Sequence, residues 1–176
     1  TGLCNNGKLL ANLADFYSSF LVKNSIEYDF IFGPAYKGIT LATSISNSLY
    51  NSYNINKSFC FNRKEAKTHG EAGIFVGSAP KGNALIVDDV ISSGKSIIES
   101  IHLLSTNGAK PSSVVVAFDR MELGIDKRAS IEILEKYKIQ VYSIITLDDI
   151  IDFLKNNKMM SSELKSMTQY MELYKR

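Results

Sequence analysis

The chain has 176 residues, 45% of them hydrophobic and 22% charged, which fits one globular domain and excludes wholesale disorder. Lys+Arg 20 against Asp+Glu 18 leaves a formal net charge of +2, too even a balance for a general nucleic-acid binder. No apolar run approaches the roughly 18 residues that a membrane span needs. Residues Lys8–Asn12 lack the pattern of a signal peptide, and two thiols, Cys4 and Cys60, suit a reducing cytoplasm better than a disulfide scaffold.

Apolar residues at Leu10, Leu13, Ala14, Tyr17, Phe20 and Leu21 predict an amphipathic helix over 7–23. Tyr28–Phe32 reads as a buried strand halted by Gly33-Pro34. A second helix is predicted over 37–50, with Leu41, Ile45, Ser48 and Leu49 on one side. Ser58–Phe61 is a short strand, and the aperiodic polar stretch 62–73 reads as a long loop. Ala84–Val87 is apolar enough to be a strand buried on both faces, ending at Asp88-Asp89. Ser92-Ser93-Gly94 then turns into a helix carrying Ile97, Ile101 and Leu104, closed by Asn107-Gly108. A strand at 114–118, a helix at 129–137, a strand at 141–145 and two further helices complete the chain. The last helix sets Leu164, Met167, Met171 and Tyr174 in register. Strands alternating with helices predict an α/β fold, a mostly parallel sheet with helices on both faces.

Ligands of such sheets bind at the carboxyl ends of the strands, and three predicted strand ends carry unusual chemistry. These are Gly33–Gly38, Asp88–Ser96 and Asp119-Arg120. In the second, two acids sit beside a small-residue turn that opens a helix. Backbone N–H groups at a turn and helix start receive an anion, while carboxylates accept from hydroxyls. A ribose 5-phosphate satisfies both halves. A plain Asp-Asp cap with a Ser-Ser-Gly turn is the bland alternative, and like-charge repulsion at a sheet end argues against it. Gly94-Lys95-Ser96 imitates the end of a P-loop, but the first glycine of that motif would fall at Asp89, so a nucleoside triphosphatase is excluded. Cys60, in an apolar strand, reads as a small hydrophobe.

Leu85–Ser96 resembles the signature for phosphoribosyl pyrophosphate (PRPP) in type I phosphoribosyltransferases. Phe32–Gly38, together with Cys60–Glu71, resembles the bacterial orotate phosphoribosyltransferase family, and the likeness extends over about residues 1–155. It implies a type I phosphoribosyltransferase fold and the reaction of orotate with PRPP to orotidine 5′-monophosphate and pyrophosphate, in pyrimidine biosynthesis. It also implies Mg²⁺, held mainly by PRPP and water with no direct protein ligand.

By that resemblance Lys67, Asp88 and Asp89 are the catalytic group. PRPP is bound by Tyr36, Lys37, Arg63, Lys64, Lys67, His69, Asp88 and Asp89 and by the turn Val90, Ile91, Ser92, Ser93, Gly94, Lys95 and Ser96. Orotate meets Ser92 and Arg120, whose guanidinium suits a carboxylate. Lys95 departs from the family, which has a small hydroxyl residue there. The resemblance implies a non-proline cis peptide at Ala35–Tyr36. It further implies a homodimer in which loop 62–73 is shared across the interface. In the family an upstream segment with a lysine and two adjacent aromatics helps build a hood over the base. The sequence opens at Thr1, after that segment, so the expectation is a single domain over 1–176 that is either a fragment of a longer polypeptide or a shortened form with an incomplete hood. Two other readings stay open: a PRPP-binding sensor without turnover, and a phosphoribosyltransferase for another base.

Overall fold

A strand covered on both faces has no polar side to show, and Phe30–Gly33, β1, is buried at every residue. Phe30 and Phe32 fall in one apolar cluster and Ile31 in another, as the two-residue period of a strand requires. The structure, a computed structural model, describes residues 4–67, 73–156 and 160–174. The other strands are β2 (Ser58–Lys67), β3 (Gly73–Gly77), β4 (Gly82–Ile91), β5 (Ala109–Asp119) and β6 (Gln140–Thr146). The described residues form a six-stranded sheet in the order β3-β2-β1-β4-β5-β6. β1 is parallel to β2 and β4, β4 to β5 and β5 to β6, while β3 joins the outer edge of β2 antiparallel.

Helices cover the two faces separately. α1 (Gly7–Lys23) and α2 (Lys37–Tyr53) bury Tyr17, Leu21, Leu41, Ile45 and Leu49 against Ile31, Leu85, Val87 and Val115. α3 (Lys95–Thr106) and α4 (Ala129–Tyr137) bury Ile97, Ile101, Leu104 and Ile133 against Phe30, Phe32, Ile86, Val114 and Val116. α5 (Leu147–Asn156) and α6 (Ser161–Tyr174) close a smaller cluster around Met121, Leu147 and Ile151. The chain therefore leaves β1 toward one face and β4 toward the other. Adjacent strands whose connections part in this way open a crevice at their carboxyl ends. No described helix is long and apolar enough to cross a membrane.

The expected α/β architecture is present, and the differences lie at element boundaries. β2 continues through Lys67, so the stretch from Asn62 onward is the arm of a hairpin rather than a loop. Phe61 faces Val76, Asn62 faces Phe75 and Lys67 faces Gly73, with an irregular register between Asn62 and Lys67. In this arm Asn62 and Arg63 are half-buried and Lys64 and Glu65 exposed, and such a stretch, with no buried face, shows little hydrophobic alternation. Residues 68–72, which include His69, lie outside the described residues. β4 runs to Ile91, which puts Asp88 and Asp89 inside the sheet, Asp88 in register with Val116. Cys60 is fully buried, and burial pushes its thiol up to about 12.

Two glycines join β1 to α2 at contact distance. A Cβ on Gly33 would stand 1.9 Å from the Gly38 carbonyl oxygen, and one on Gly38 would stand 2.6 Å from Pro34 Cδ. Backbone cannot yield as a flexible side chain does, so Gly33→Ala is expected to destabilise the fold by about 3 kcal/mol. Gly7→Ala, with nothing within 4 Å of its Cβ, is expected to be neutral or stabilising by up to about 1 kcal/mol. Urea unfolding of both variants checks the contrast.

Candidate active site

The turn after β1 brings backbone to the mouth of the crevice. Its Ala35–Tyr36 peptide is cis, as the sequence resemblance implies. Ala35 N donates to Asn62 Oδ1 at 2.9 Å, and Gly38 N donates to the Pro34 carbonyl at 3.0 Å. Lys37 then opens α2 and lays its Nζ 2.9 Å from Asp89 Oδ2. That bond and the charge of Asp89 hold the Lys37 ammonium above its ordinary value.

The acidic pair is desolvated: Asp88 is 8% exposed and Asp89 6%. Asp88 Oδ1 accepts from Asp89 N at 2.9 Å, and Oδ2 accepts from Ser96 Oγ at 3.2 Å. Burial, the largest influence, pushes the Asp88 carboxyl up to about 6; the Asp89 N–H and Ser96 bonds oppose it, and the Asp89 charge adds to it. From behind, the hydroxyl of fully buried Tyr17 donates to the Asp88 carbonyl oxygen at 2.6 Å. Burial raises that phenol far above its ordinary value, so it remains a donor.

Beyond the acids, Gly94 takes φ 77° and precedes α3 without capping it by a side chain. A Cβ there would meet Ala129 Cβ at 3.1 Å, so close packing and left-handed backbone both select glycine. The helix start faces a pocket of about 310 Å³ lined by Val90–Ile97 and Glu99. Backbone N–H groups at such a start suit an anion.

A cleft of about 620 Å³ joins these parts. Pro34, Ala35, Tyr36 and Lys37 line it from β1, Asp88, Asp89, Val90, Ser92 and Ser96 from β4 and α3, and Phe118 and Arg120 from β5. The three strand ends singled out in the sequence thus meet in one site. Lys64 reaches it at the rim, its Nζ 5.0 Å above the Tyr36 ring. Arg63 Nη1 donates to the Gly73 carbonyl at 3.3 Å across the hairpin. Lys67 ends β2. Ile91 enters by its backbone, since its side chain is 1% exposed in the core while its carbonyl accepts from Arg120 N at 3.1 Å. Lys95 turns outward: its side chain is 83% exposed, with Nζ 4.0 Å from Glu99.

Sequence pattern did not single out Asn62, Tyr17 or Phe118 for the site. Tyr17 sits on the apolar stripe of α1, and periodicity marks its ring as core without saying where its hydroxyl goes. Asn62 stood in the supposed loop; its signal would have been an amide side chain directly after an apolar strand, opposite an unpaired turn.

The comparisons with known proteins agree with this geometry. A family model described as "Phosphoribosyl transferase domain" matches residues 5–151. Orotate phosphoribosyltransferase of Actinobacillus succinogenes is 45% identical over 174 residues, covering 98% of this chain and 81% of that protein. The chain belongs to the orotate phosphoribosyltransferase family. The Haemophilus influenzae member is 45% identical over 170 residues, 96% of this chain and 80% of its own length. The crystal structure of the Francisella tularensis member superposes with a TM-score of 0.84 at 35% identity, over 100% of this chain and 82% of that one. The six-stranded sheet is accordingly the type I phosphoribosyltransferase fold of orotate phosphoribosyltransferases.

In this family member the raised carboxyl of Asp88 has a consequence for stability. A carboxyl raised on folding favours the folded state fully below its unfolded value of 3.8 and loses that advantage as pH rises through about 6. At pH 8 the fold therefore carries a desolvated charge. Asp88→Asn is expected to raise stability at pH 8 by about 1–3 kcal/mol, with the gain shrinking between pH 7 and pH 4. Denaturant unfolding of both proteins across that range checks the sign; a variant less stable at pH 8 by a similar amount contradicts it.

Proposed function

We propose that the cleft transfers the phosphoribosyl group of PRPP to orotate, giving orotidine 5′-monophosphate and pyrophosphate, the chemistry named for the relatives above. The observation that carries this reading is the meeting, in one cleft, of a buried acid pair and a guanidinium, beside an adjoining pocket at a helix start that no side chain caps and that shares Val90, Ser92 and Ser96 with the cleft. A phosphate, a ribose diol and a carboxylate are the three ligand groups that such a set would recognise.

The turn Val90–Ser96 would hold the 5-phosphate by backbone N–H and hydroxyl groups. Asp88 and Asp89 would accept from the ribose hydroxyls, with Lys37 passing from Asp89 toward the diphosphate. Tyr36, Arg63, Lys64, Lys67 and His69 would complete the diphosphate site, and Ser92 and Arg120 would receive orotate. The reaction is a substitution at ribose C1: orotate N1 forms the new bond and gives up its proton to the departing pyrophosphate or to water, while the C1–O bond breaks and its electron pair departs with pyrophosphate. Protein cations facing the leaving group stabilise the charge it develops, so no protein nucleophile is required.

Magnesium would neutralise the diphosphate when bound. Among the described residues there is no cluster of three or more His, Cys, Asp or Glu able to chelate a metal. An ion that takes its ligands from substrate phosphate oxygens and water needs no such cluster, and the Asp88 and Asp89 carboxylates would add negative charge near it without ligating it. The free thiols of Cys4 and Cys60 fit a cytoplasmic setting.

Loss of orotate absorbance that requires PRPP and yields pyrophosphate in equal amount is the expected result with the full chain. PRPP binding without turnover would identify a sensor, and turnover with a different base would identify a different acceptor.

The resemblance further supports a two-fold dimer in which the stretch 62–73 serves the neighbouring cleft. Asp89→Asn and Lys67→Ala variants, each inactive alone, would then complement when subunits exchange. An equimolar mixture should recover about a quarter of its sites, because half the dimers are mixed and each mixed dimer has one intact site. A dead mixture with exchange confirmed by mass would show that Lys67 serves its own subunit.

A further inference from the structure

Helix α6 lies beyond the stretch matched by the phosphoribosyl transferase model, yet it reaches the cleft wall. It packs through Leu164, Met167, Tyr170 and Met171 against Met121, Leu147 and Ile151. That seat places Tyr170 beside the segment following β5. The Tyr170 hydroxyl donates to Glu122 Oε1, and the same oxygen lies 3.2 Å from Arg120 Nε. The Arg120 guanidinium carbon is 5.1 Å from the centre of the Tyr170 ring. One carboxylate oxygen therefore ties two donors together, and the ring backs the guanidinium.

The backbone between them is fixed independently. Arg120 N donates to the Ile91 carbonyl at 3.1 Å, Met121 N to Asp119 Oδ1 at 2.7 Å, and Leu123 N to the Tyr174 carbonyl at 3.3 Å. Asp119 Oδ2 in turn accepts from Ser130 Oγ at 3.0 Å. What remains to be ordered at Arg120 is its side chain, 39% exposed at the cleft. A guanidinium has five donors in a planar fork. Pairing Nε with Glu122 fixes the plane and leaves the two terminal nitrogens to meet a planar carboxylate.

We propose that Tyr170 is a positioning residue for the acceptor: acting through Glu122, it holds the Arg120 fork ready for the carboxylate of orotate. This rests on the reading of Arg120 as the orotate ligand. Burial, reinforced by Glu122, pushes the Tyr170 phenol up to about 12, so the hydroxyl stays a donor throughout the working pH range. Tyr170 also draws the Glu122 charge to one side, which lessens its repulsion of the incoming carboxylate. The device acts on acceptor recognition and not on PRPP.

Steady-state kinetics with both substrates varied, on the full chain, tests this. Tyr170→Phe is expected to raise the KM for orotate about three- to tenfold, the scale of one lost hydrogen bond. The kcat and the KM for PRPP should stay within about twofold, because no PRPP contact is touched. Arg120→Ala should raise the orotate KM further, and Tyr170→Phe should add nothing in that background, since its effect passes through Arg120. Glu122→Ala should give the same selective rise by removing the shared oxygen. An unchanged orotate KM in Tyr170→Phe, beside a raised one in Arg120→Ala, overturns the proposal and leaves the reading of Arg120 standing. An unchanged orotate KM in Arg120→Ala itself overturns both. Equal rises in both KM values, or a further rise in the Arg120→Ala background, would make Tyr170 a packing residue and also overturn the proposal.

Discussion

Two carboxylates side by side, nearly out of water, are an expensive arrangement, and the site is organised around keeping them there. Asp88 and Asp89 sit in the central strand β4, between β1 and β5, so the sheet fixes the backbone that carries them. Each is compensated by a specific partner. Lys37 meets Asp89 at 2.9 Å, while Ser96 and the Asp89 N–H meet Asp88. The compensation of Asp88 is incomplete, since its carboxyl is still pushed up to about 6. Replacing a buried ionic group by packed apolar side chains is often neutral or stabilising, so stability of the fold does not by itself account for the acids.

The surrounding fold follows from that constraint. α1 lies on the sheet face opposite α3 and supplies Tyr17, whose hydroxyl anchors the Asp88 carbonyl. β1 supplies the glycine-paired turn that delivers Lys37, and Asn62 at the sheet edge holds that turn by its Ala35 N–H. β5 delivers Arg120, whose backbone is tied back to Ile91 on β4. The glycine-paired turn, the acid pair and Arg120 thus hang on three neighbouring parallel strands. Their relative positions are set by sheet register rather than by loops, and rigid elements hold reacting groups more closely than loops do.

Much of this was legible in the sequence because buried parallel strands and amphipathic helices write strong periodic patterns. The stripe at Leu10, Ala14, Tyr17 and Leu21 and the apolar run at Ala84–Val87 each mark an element correctly. The three strand ends rich in glycine, acid and arginine mark the cleft. What periodicity could not show was the hairpin from Asn62 onward, where Asn62 to Glu65 are polar at every position and leave no alternation. The strand β3 escaped notice as a short edge segment between two glycines. Nor could pattern foresee contacts made across the sheet at long sequence separation. Tyr17 to Asp88 and Asn62 to Ala35 are choices of tertiary packing, and Glu122 with Tyr170 joins residues on different elements around an arginine. Lys95 shows the converse: its place in the motif left a phosphate contact and a solvent-facing side chain equally open, and in the structure it is exposed with Nζ 4.0 Å from Glu99.

The most direct test of the acid pair as ligand-binding machinery is calorimetric titration of PRPP, with Mg²⁺, into the wild-type chain and into Asp89→Asn. An amide presents a donor where a ribose hydroxyl needs an acceptor, and it releases Lys37 from its 2.9 Å partner. The account predicts that the variant folds with wild-type stability or better and binds PRPP at least about tenfold more weakly, as losing one charge-assisted hydrogen bond implies. Equal affinity in the two proteins would contradict it and reduce Asp88-Asp89 to a structural cap.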